Sequence, residues 1–250
     1  MDVLEVITIA AAGMAAGAIN AVVGSGTLVT FPVLLAYGYP PVIANVSNTV
    51  GLVPGGFAGV HGYRRELEGQ GARTLRFALA SVLGGVTGAI LLLELPSSAF
   101  DAIVPVFIAI ALVLIVFQPR LNRALASRPR TERPHGTGSA RVAVYFAGIY
   151  GGYFGAAQGI MLLAILGLAL PDDMQRVVAL KNVLATLVNL VAALIFVVAA
   201  DVAWEAAAAI AAGSIAGGFL GARYGRRAPD GLVRAFCVVV GIAAIVQLVV

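Results

Sequence analysis

A series of long apolar runs, separated by short polar connections, is the feature that most constrains how this chain can fold. Ten runs lie between charged residues or prolines, and most are long enough to approach the ~30 Å thickness of a bilayer's hydrocarbon core at ~1.5 Å per helical residue. The runs comprise residues 4–23, 27–37, 42–63, 77–95, 102–118, 142–155, 160–170, 177–200, 206–222 and 235–250. The pattern predicts an all-α polytopic membrane protein with about eight to ten membrane segments.

The composition excludes a soluble globule. Hydrophobic residues make up 60% of the 250 residues and charged residues only 11%, whereas soluble domains contain about 25% charged residues. The net charge of +4 does not predict nucleic-acid binding, because the basic residues lie in loops between apolar runs without interleaved aromatic residues. The acidic start of the chain, with Asp2 and Glu5, does not resemble the basic start of a cleaved signal peptide.

Two of the runs are too short to cross a bilayer. Residues 27–37 and 160–170 would each reach only about 16 Å as a helix. We therefore expect these segments to be short, broken or re-entrant helices. Each follows a glycine-rich stretch, Gly24-Ser25-Gly26 in the first case and residues 155–159 in the second.

Arginine predicts the orientation of the chain. Fourteen of the 16 Lys and Arg residues fall in three connections, residues 64–76, 119–141 and 223–234, whereas the opposite connections carry acidic residues and no basic ones. By the positive-inside rule, the three arginine-rich connections are cytoplasmic and both termini lie outside.

The chain divides near its middle into two similar parts. Residues 17–26 (GAINAVVGSG) align with residues 148–157 (GIYGGYFGAA), and a slightly larger offset pairs Asn48 with Asn182. The sequence therefore predicts a first membrane repeat over residues 1–118, a cytoplasmic Arg-rich linker over 119–141 and a second membrane repeat over 142–250. Because each repeat must cross an odd number of times, the two have inverted topology, which is typical of secondary transporters with substrate sites at the repeat interface.

Polar residues inside the apolar runs are the candidates for a binding site, because they are costly in a membrane. They cluster on either side of the two short runs, although hydrogen bonding between helices is an alternative role for each of them. Helices that restart after the glycine-rich turns would present N–H groups and the positive end of a helix dipole to an anion. The predicted substrate-binding residues are Asn20, Gly24, Ser25, Gly26, Asn45, Ser47, Asn48, Gln158, Gly159, Lys181 and Asn182.

Lys181 is the basic residue placed well inside an apolar run. It would supply positive charge to the site; alternatively, its side chain would extend to the cytoplasmic surface. No Asp or Glu lies in the interior of a run, since Glu5 and Glu94 are at run ends; the lack of an interior carboxylate to couple transport to a cation favours an anionic substrate.

The segments GAINAVVGSGTLVTFPVLLAYGYPPVIANVSNTVGLVPGG and GIYGGYFGAAQGIMLLAILGLALPDDMQRVVALKNVLATLVNLVAALIFV resemble the TauE/SafE family of sulfite exporters and related transporters. The resemblance implies two homologous membrane bundles and a cargo of sulfite, sulfonates or related small anions. One departure bears on the substrate: Lys181-Asn182 stands where a Thr/Ser pair is common in that family.

These observations predict a secondary anion transporter of the bacterial inner (plasma) membrane that works by alternating access, rather than an enzyme. Its expected partners are a small anion and the lipid bilayer, with no nucleic acid, cofactor or metal. Small-residue helix faces would also allow a homodimer. Two alternatives are an intramembrane serine protease, with Ser25 as nucleophile and His61 as base, and a structural membrane protein without transport activity.

Overall fold

The structure is a computed structural model that describes residues 1–126 and 138–225, together with five isolated positions between 235 and 245. The described residues form helices and no strands. The helices are α1 (Val3–Val22), α2 (Thr27–Ala36), α3 (Pro41–Gly62), α4 (Gly71–Glu94), α5 (Ser97–Ala126), α6 (Gly138–Tyr153), α7 (Gln158–Ala169), α8 (Met174–Ala199) and α9 (Trp204–Tyr224). The chain is therefore all-helical where it is described, as the sequence predicts.

Local sequence explains several helix boundaries. Pro41 is the first residue of α3, a position where its missing N–H costs nothing and its fixed φ favours the helix. Asp173 caps α8 by accepting hydrogen bonds from the N–H groups of Gln175 and Arg176, which satisfies two of the unpaired donors at the helix start.

Five helices are long and apolar enough to cross a membrane: α1, α4, α5, α8 and α9. Two others, α2 and α7, are apolar but only 10 and 12 residues long, and they coincide with the runs predicted to be too short to span. The chain is an integral membrane protein.

Helices α1, α3 and α9 form one parallel set. Gly13 and Gly17 of α1 contact Ile210 and Ser214 of α9, so residue numbers rise together along the pair. Gly51 and Gly55 of α3 contact the same two residues of α9. Glycine permits this close approach of backbones. These small-residue faces of α1, α3 and α9 are therefore packed within one chain.

Helices α4, α6 and α8 form a second parallel set. Gly84 of α4 lies against Gly148 of α6, and Gly85 of α4 lies against Val188 of α8. The short connection between α3 and α4 reverses the chain, so the two sets run in opposite directions. Helices α3 and α8 bring the sets into contact.

Helix α5 packs across this assembly. Phe100 contacts Phe31 of α2 and Phe154 of the α6–α7 turn edge-on, with ring centroids 6.5 and 6.2 Å apart. The helix continues to Ala126 and α6 begins at Gly138, so helical structure extends into both ends of the predicted 119–141 linker. The middle of that linker, the arginine-rich residues 226–234 and most of the last apolar run lie outside the described residues.

Candidate functional site

Two helical hairpins, α1–α2 and α6–α7, form the centre of the molecule. At the end of α1, the N–H groups of Val23 and Gly24 donate to the Ile19 carbonyl over 2.7 and 2.9 Å. Gly24 has a φ of +90°, which glycine adopts without steric cost, and this turn reverses the chain into α2.

The same turn ends α6. The N–H groups of Phe154 and Gly155 both donate to the Tyr150 carbonyl over 3.0 Å, and Gly155 has a φ of +78°. Each residue of this turn lies 131 positions after its counterpart in the first turn. The glycines at 24 and 155 are therefore the residues that allow both helices to reverse.

Each hairpin returns to the side on which it began. The loop after α2 reaches the start of α1, where the Tyr39 hydroxyl donates to the Glu5 carboxylate over 2.9 Å. Burial of the Tyr39 hydroxyl and its hydrogen bond to Glu5 raise the pKa of Tyr39 to about 12. The loop after α7 reaches the start of α4, where Asp172 pairs with Arg73. Both short helices are thus re-entrant.

The two hairpin tips meet. The Gly159 N–H donates to the Gly24 carbonyl over 3.1 Å. A Cβ atom added to Gly159 would lie 2.5 Å from the Gly24 Cα atom, so this contact between backbones requires glycine. The first turns of α2 and α7 are thereby brought together at the centre of the protein.

Side chains from opposite helix sets satisfy the carbonyl ends of α1 and α6. The Lys181 ammonium of α8 donates to the Asn20 carbonyl over 2.8 Å, and the Asn182 amide donates to the Ala21 carbonyl over 3.0 Å. In the other direction, the Asn45 amide of α3 donates to the Tyr153 carbonyl over 2.9 Å. Such capping matters because unpaired carbonyls are costly in a membrane.

A cavity with a volume of about 40 Å³ lies beside the meeting point of the tips. It is enclosed by both hairpin turns, by the glycine-rich face of α3 and by a polar face of α8. Its polar lining side chains belong to Asn20, Thr27, Gln158, Asn182, Thr186 and Asn189. None of the cavity's lining residues, all of which are described, carries a formal charge.

The polar lining falls into two groups. Asn20 accepts a 2.7 Å hydrogen bond from the Gly26 N–H, and Gln158 donates to the Ala147 carbonyl over 3.2 Å, so both also hold the hairpins in shape. In the described part of the chain, the Thr186 hydroxyl and the Asn189 amide make no hydrogen bond to protein. These two groups are free to bind a solute.

Five predicted site residues line this cavity: Asn20, Gly24, Gln158, Gly159 and Asn182. The other predicted residues lie close by in the chain but outside the lining. Ser47 accepts a hydrogen bond from the Ala203 N–H over 2.8 Å, and Asn48 bonds to Thr30 and Thr27 of α2. Ser25, Gly26, Asn45 and Lys181 also fall outside the lining, and Lys181 is fully buried.

Thr27, Thr186 and Asn189 were not among the predicted site residues. Asn182, Thr186 and Asn189 are spaced by four and three residues, the spacing of one helix face, so the sequence did carry this signal. The face of α3 formed by Gly55, Gly56 and Gly59 has the same periodicity, but glycine spacing alone also describes helix packing.

The side chains required for a serine protease are not paired. The Ser25 hydroxyl is buried without a hydrogen-bond partner, whereas the exposed His61 ring packs edge-on against Phe219, with centroids 6.0 Å apart. Among residues 1–126 and 138–225, no three His, Cys, Asp or Glu side chains are grouped to hold a metal ion.

The family model for the sulfite exporter TauE/SafE matches residues 9–248. The chain belongs to the TauE/SafE family. It is 29% identical over 216 residues to a probable membrane transporter protein of Haemophilus influenzae, covering 84% of this chain and 81% of that protein.

Two other TauE/SafE relatives have the same general description. The probable membrane transporter protein YfcA of Escherichia coli K12 is 26% identical over 215 residues, covering 86% of this chain and 77% of YfcA. The probable membrane transporter protein ORF9 of Sinorhizobium sp is 26% identical over 238 residues, covering 95% of this chain and 89% of ORF9. No solved structure gives a significant match.

Proposed function

We propose that this protein is a secondary transporter of small anions, with sulfite and small sulfonates as the first candidates, that binds its cargo in the cavity beside the two hairpin tips. The observation that carries the proposal is that two re-entrant helices meet tip to tip next to an uncharged polar cavity. Membership of a sulfite exporter family supports the choice of cargo.

Anion preference follows from the groups around the cavity. Thr27 and Gln158 are the first residues of α2 and α7, and both line it. Two helix dipoles therefore direct their positive ends towards the same space, which favours negative charge. Lys181 precedes the lining residue Asn182 and has no carboxylate partner among the described residues. Its charge adds to the attraction for an anion, since charges act strongly in a medium of low dielectric constant.

We further propose that the two membrane repeats have inverted topology. Support comes from the matching hairpin turns and from helix packing: α1 contacts α9 as α6 contacts α4, and α3 contacts α9 as α8 contacts α4. Exchanging α1 with α6, α3 with α8 and α4 with α9 leaves these contacts unchanged. Such pseudo-twofold packing is common in alternating-access transporters.

Alternating access would work through the contact between the tips. On α3 the cavity lining extends to Gly59, which lies three residues before the helix ends and five residues before Arg64. The contact between Ser47 and the Ala203 N–H lies towards the other end of α3. Rocking one helix set against the other would close the cavity on the side of Gly59 and open it on the side of the contact between Ser47 and Ala203.

The proposed location is the bacterial inner membrane, with the arginine-rich connections in the cytoplasm. Single cysteines at Ser98 and Glu68, both exposed, would test this in a Cys237→Ala background. An impermeant maleimide should label position 98 in intact cells and position 68 only after permeabilisation. The reverse labelling would overturn the orientation.

Flux measurements test the transport proposal. Purified protein in proteoliposomes should move radiolabelled sulfite or a small sulfonate faster than empty liposomes, and Thr186→Val and Asn189→Leu should each reduce apparent affinity about tenfold. That estimate follows from the loss of a hydrogen bond to a charged ligand, about 1.5–3 kcal/mol.

Thr8→Val is the matched control. The exposed Thr8 hydroxyl bonds only within α1, to the Leu4 carbonyl, so this variant should transport normally. Absence of flux for every oxyanion and sulfonate in a panel would overturn the proposed function.

A further inference from the structure

An apolar groove runs along the lipid-facing surface between α3 and α9, outside the anion cavity. Its walls include Pro54 and Phe57 of α3 and Ile215 and Phe219 of α9, and it encloses about 840 Å³. Phe57 and Phe219 are 49% and 47% exposed. Because α9 is long and apolar enough to cross a membrane and α3 packs parallel to it, the groove would face the acyl region of the bilayer.

Both walls of the groove end in arginine. Phe57 and His61 lie one turn apart on α3, and Arg64 follows two residues after that helix ends. Ile215, Phe219 and Arg223 lie at helical spacing along α9. The ends of the two helices are adjacent, because a Cβ atom added to Gly62 would collide with the Ala222 side chain. Arg64 lines the groove, and Arg223 follows Ala222 at the adjacent end of α9.

The donors of these arginines are largely unused. Arg64 donates one hydrogen bond, to the His61 carbonyl over 3.1 Å. The Arg223 guanidinium lies over the Tyr224 ring, with its Cζ atom 5.3 Å from the ring centroid. In the described chain neither forms an ion pair. A guanidinium carries five N–H donors, so donors remain for a phosphate.

We propose that this groove is a binding site for an anionic phospholipid, with an acyl chain between α3 and α9 and the headgroup phosphate held by Arg64 and Arg223. The apolar walls match the chain, and the paired guanidinium groups match a phosphate at the membrane surface. A second copy of this protein fits less well, since a twofold contact through the same face would oppose arginine to arginine.

Lipid retention in native mass spectrometry tests the site. Protein in detergent is equilibrated with equal amounts of phosphatidylglycerol and phosphatidylcholine of the same acyl composition. We expect wild-type protein to retain phosphatidylglycerol preferentially. Arg64→Gln and Arg223→Gln should each weaken that preference about threefold, and the double variant about tenfold.

Arg120→Gln is the matched control. Arg120 lies near the end of α5 on the same side and contacts Phe117 over 5.1 Å, but it is outside the groove, so its variant should retain lipid as wild-type protein does. Melting temperature in phosphatidylcholine checks the fold of each variant, and the single variants decide the matter if the double variant does not fold.

Several outcomes would overturn the proposal. Equal retention by the wild type and by the folded arginine variants would do so, as would an equal loss in Arg120→Gln, which would indicate general surface charge. Displacement of the lipid by millimolar inorganic phosphate would indicate a site for free phosphate. Disulfide-linked dimers of Phe57→Cys in a Cys237→Ala background would indicate that a second copy covers the groove.

Discussion

The two hairpins reverse at equivalent glycines, Gly24 and Gly155, but are held by different chemistry. In the α1–α2 hairpin, a buried lysine and Asn182 cap the end of α1, and a hydrogen bond between Tyr39 and Glu5 holds the loop after α2. In the α6–α7 hairpin the arrangement is reversed: Asn45 caps α6 with a neutral amide, and an ion pair fixes the loop.

The comparison indicates that the fold requires a particular structural role at each of these positions, and not a particular residue type. Each helix needs a glycine where it reverses, a donor for its last carbonyls and an anchor for the returning loop. The backbone demands are strict, so glycine occurs in both turns. The donor and the anchor can be met in several ways, which explains why the two parts of the sequence share so few identities.

The strictest element shared by the hairpins is the contact between Gly24 and Gly159. Gly24→Ala should destabilise the protein by about 2–5 kcal/mol, because the added methyl would overlap the Gly159 backbone and the φ of +90° is costly for alanine. We expect transport to be lost and the melting temperature in detergent to fall sharply.

Gly38→Ala separates the two causes. Gly38 has a φ of +83°, but no atom lies within 4 Å of an added Cβ, so this variant should lose only about 1–2 kcal/mol and retain transport. Equal losses in the two variants would show that the contact between the tips contributes nothing.

The capping difference can be tested at Lys181. Lys181→Met leaves the Asn20 carbonyl unsatisfied, which should cost about 1–3 kcal/mol of stability, and it removes the charge nearest the cavity. Anion affinity should fall about tenfold, and Lys181→Arg should recover part of that loss. Isothermal titration with sulfite or a sulfonate measures the affinity.

Ser81→Ala is the control for this loss of capping. Its buried hydroxyl also donates to a helix carbonyl, that of Leu184 over 3.3 Å, but Ser81 lies outside the cavity lining. We expect a comparable loss of stability with unchanged affinity. If Lys181→Met also left affinity unchanged, Lys181 would serve only as a cap.

The loop anchors should respond differently to salt. Asp172 lies between Arg73 and Arg176, and its side chain is 16% exposed, so Asp172→Asn should cost about 1–2 kcal/mol, between the values for surface and buried ion pairs. The melting temperature of the wild type should decrease with added NaCl more than that of the variant. Parallel salt dependence would argue against a stabilising role for the ion pairs.

The smallest effect is expected at Tyr39. Because the folded protein raises the pKa of this hydroxyl to about 12, the neutral form stabilises the fold fully below pH 10, and this contribution is lost as the pH rises towards 12. Tyr39→Phe should cost about 1 kcal/mol or less at pH 8. The stability difference between the two proteins should shrink by pH 11, and a constant difference would contradict this.

Apolar run length was sufficient to predict the five long apolar helices and the two short ones in the described residues, because the bilayer restricts spanning structure more strongly than water restricts a soluble fold. The reversals at Gly24 and Gly155 were also visible as glycine-rich stretches. The site was harder to predict, because polarity inside a run does not distinguish a lining residue from a cap. Asn45 and Lys181 satisfy carbonyls, whereas Thr186 and Asn189 face the cavity.

The packing of α1 against α9 constrains how this protein is made. The faces that join Gly13 and Gly17 to α9 are separated by roughly 200 residues of chain. At a synthesis rate of ~5–20 residues per second, α1 waits roughly 10–40 s in the membrane before α9 has been made. Helices α4 and α6 are much closer in the chain and can pair earlier. Until α9 arrives, the glycine face of α1 is open to lipid or to chaperones, so the set of α1, α3 and α9 cannot assemble before α9 has been made.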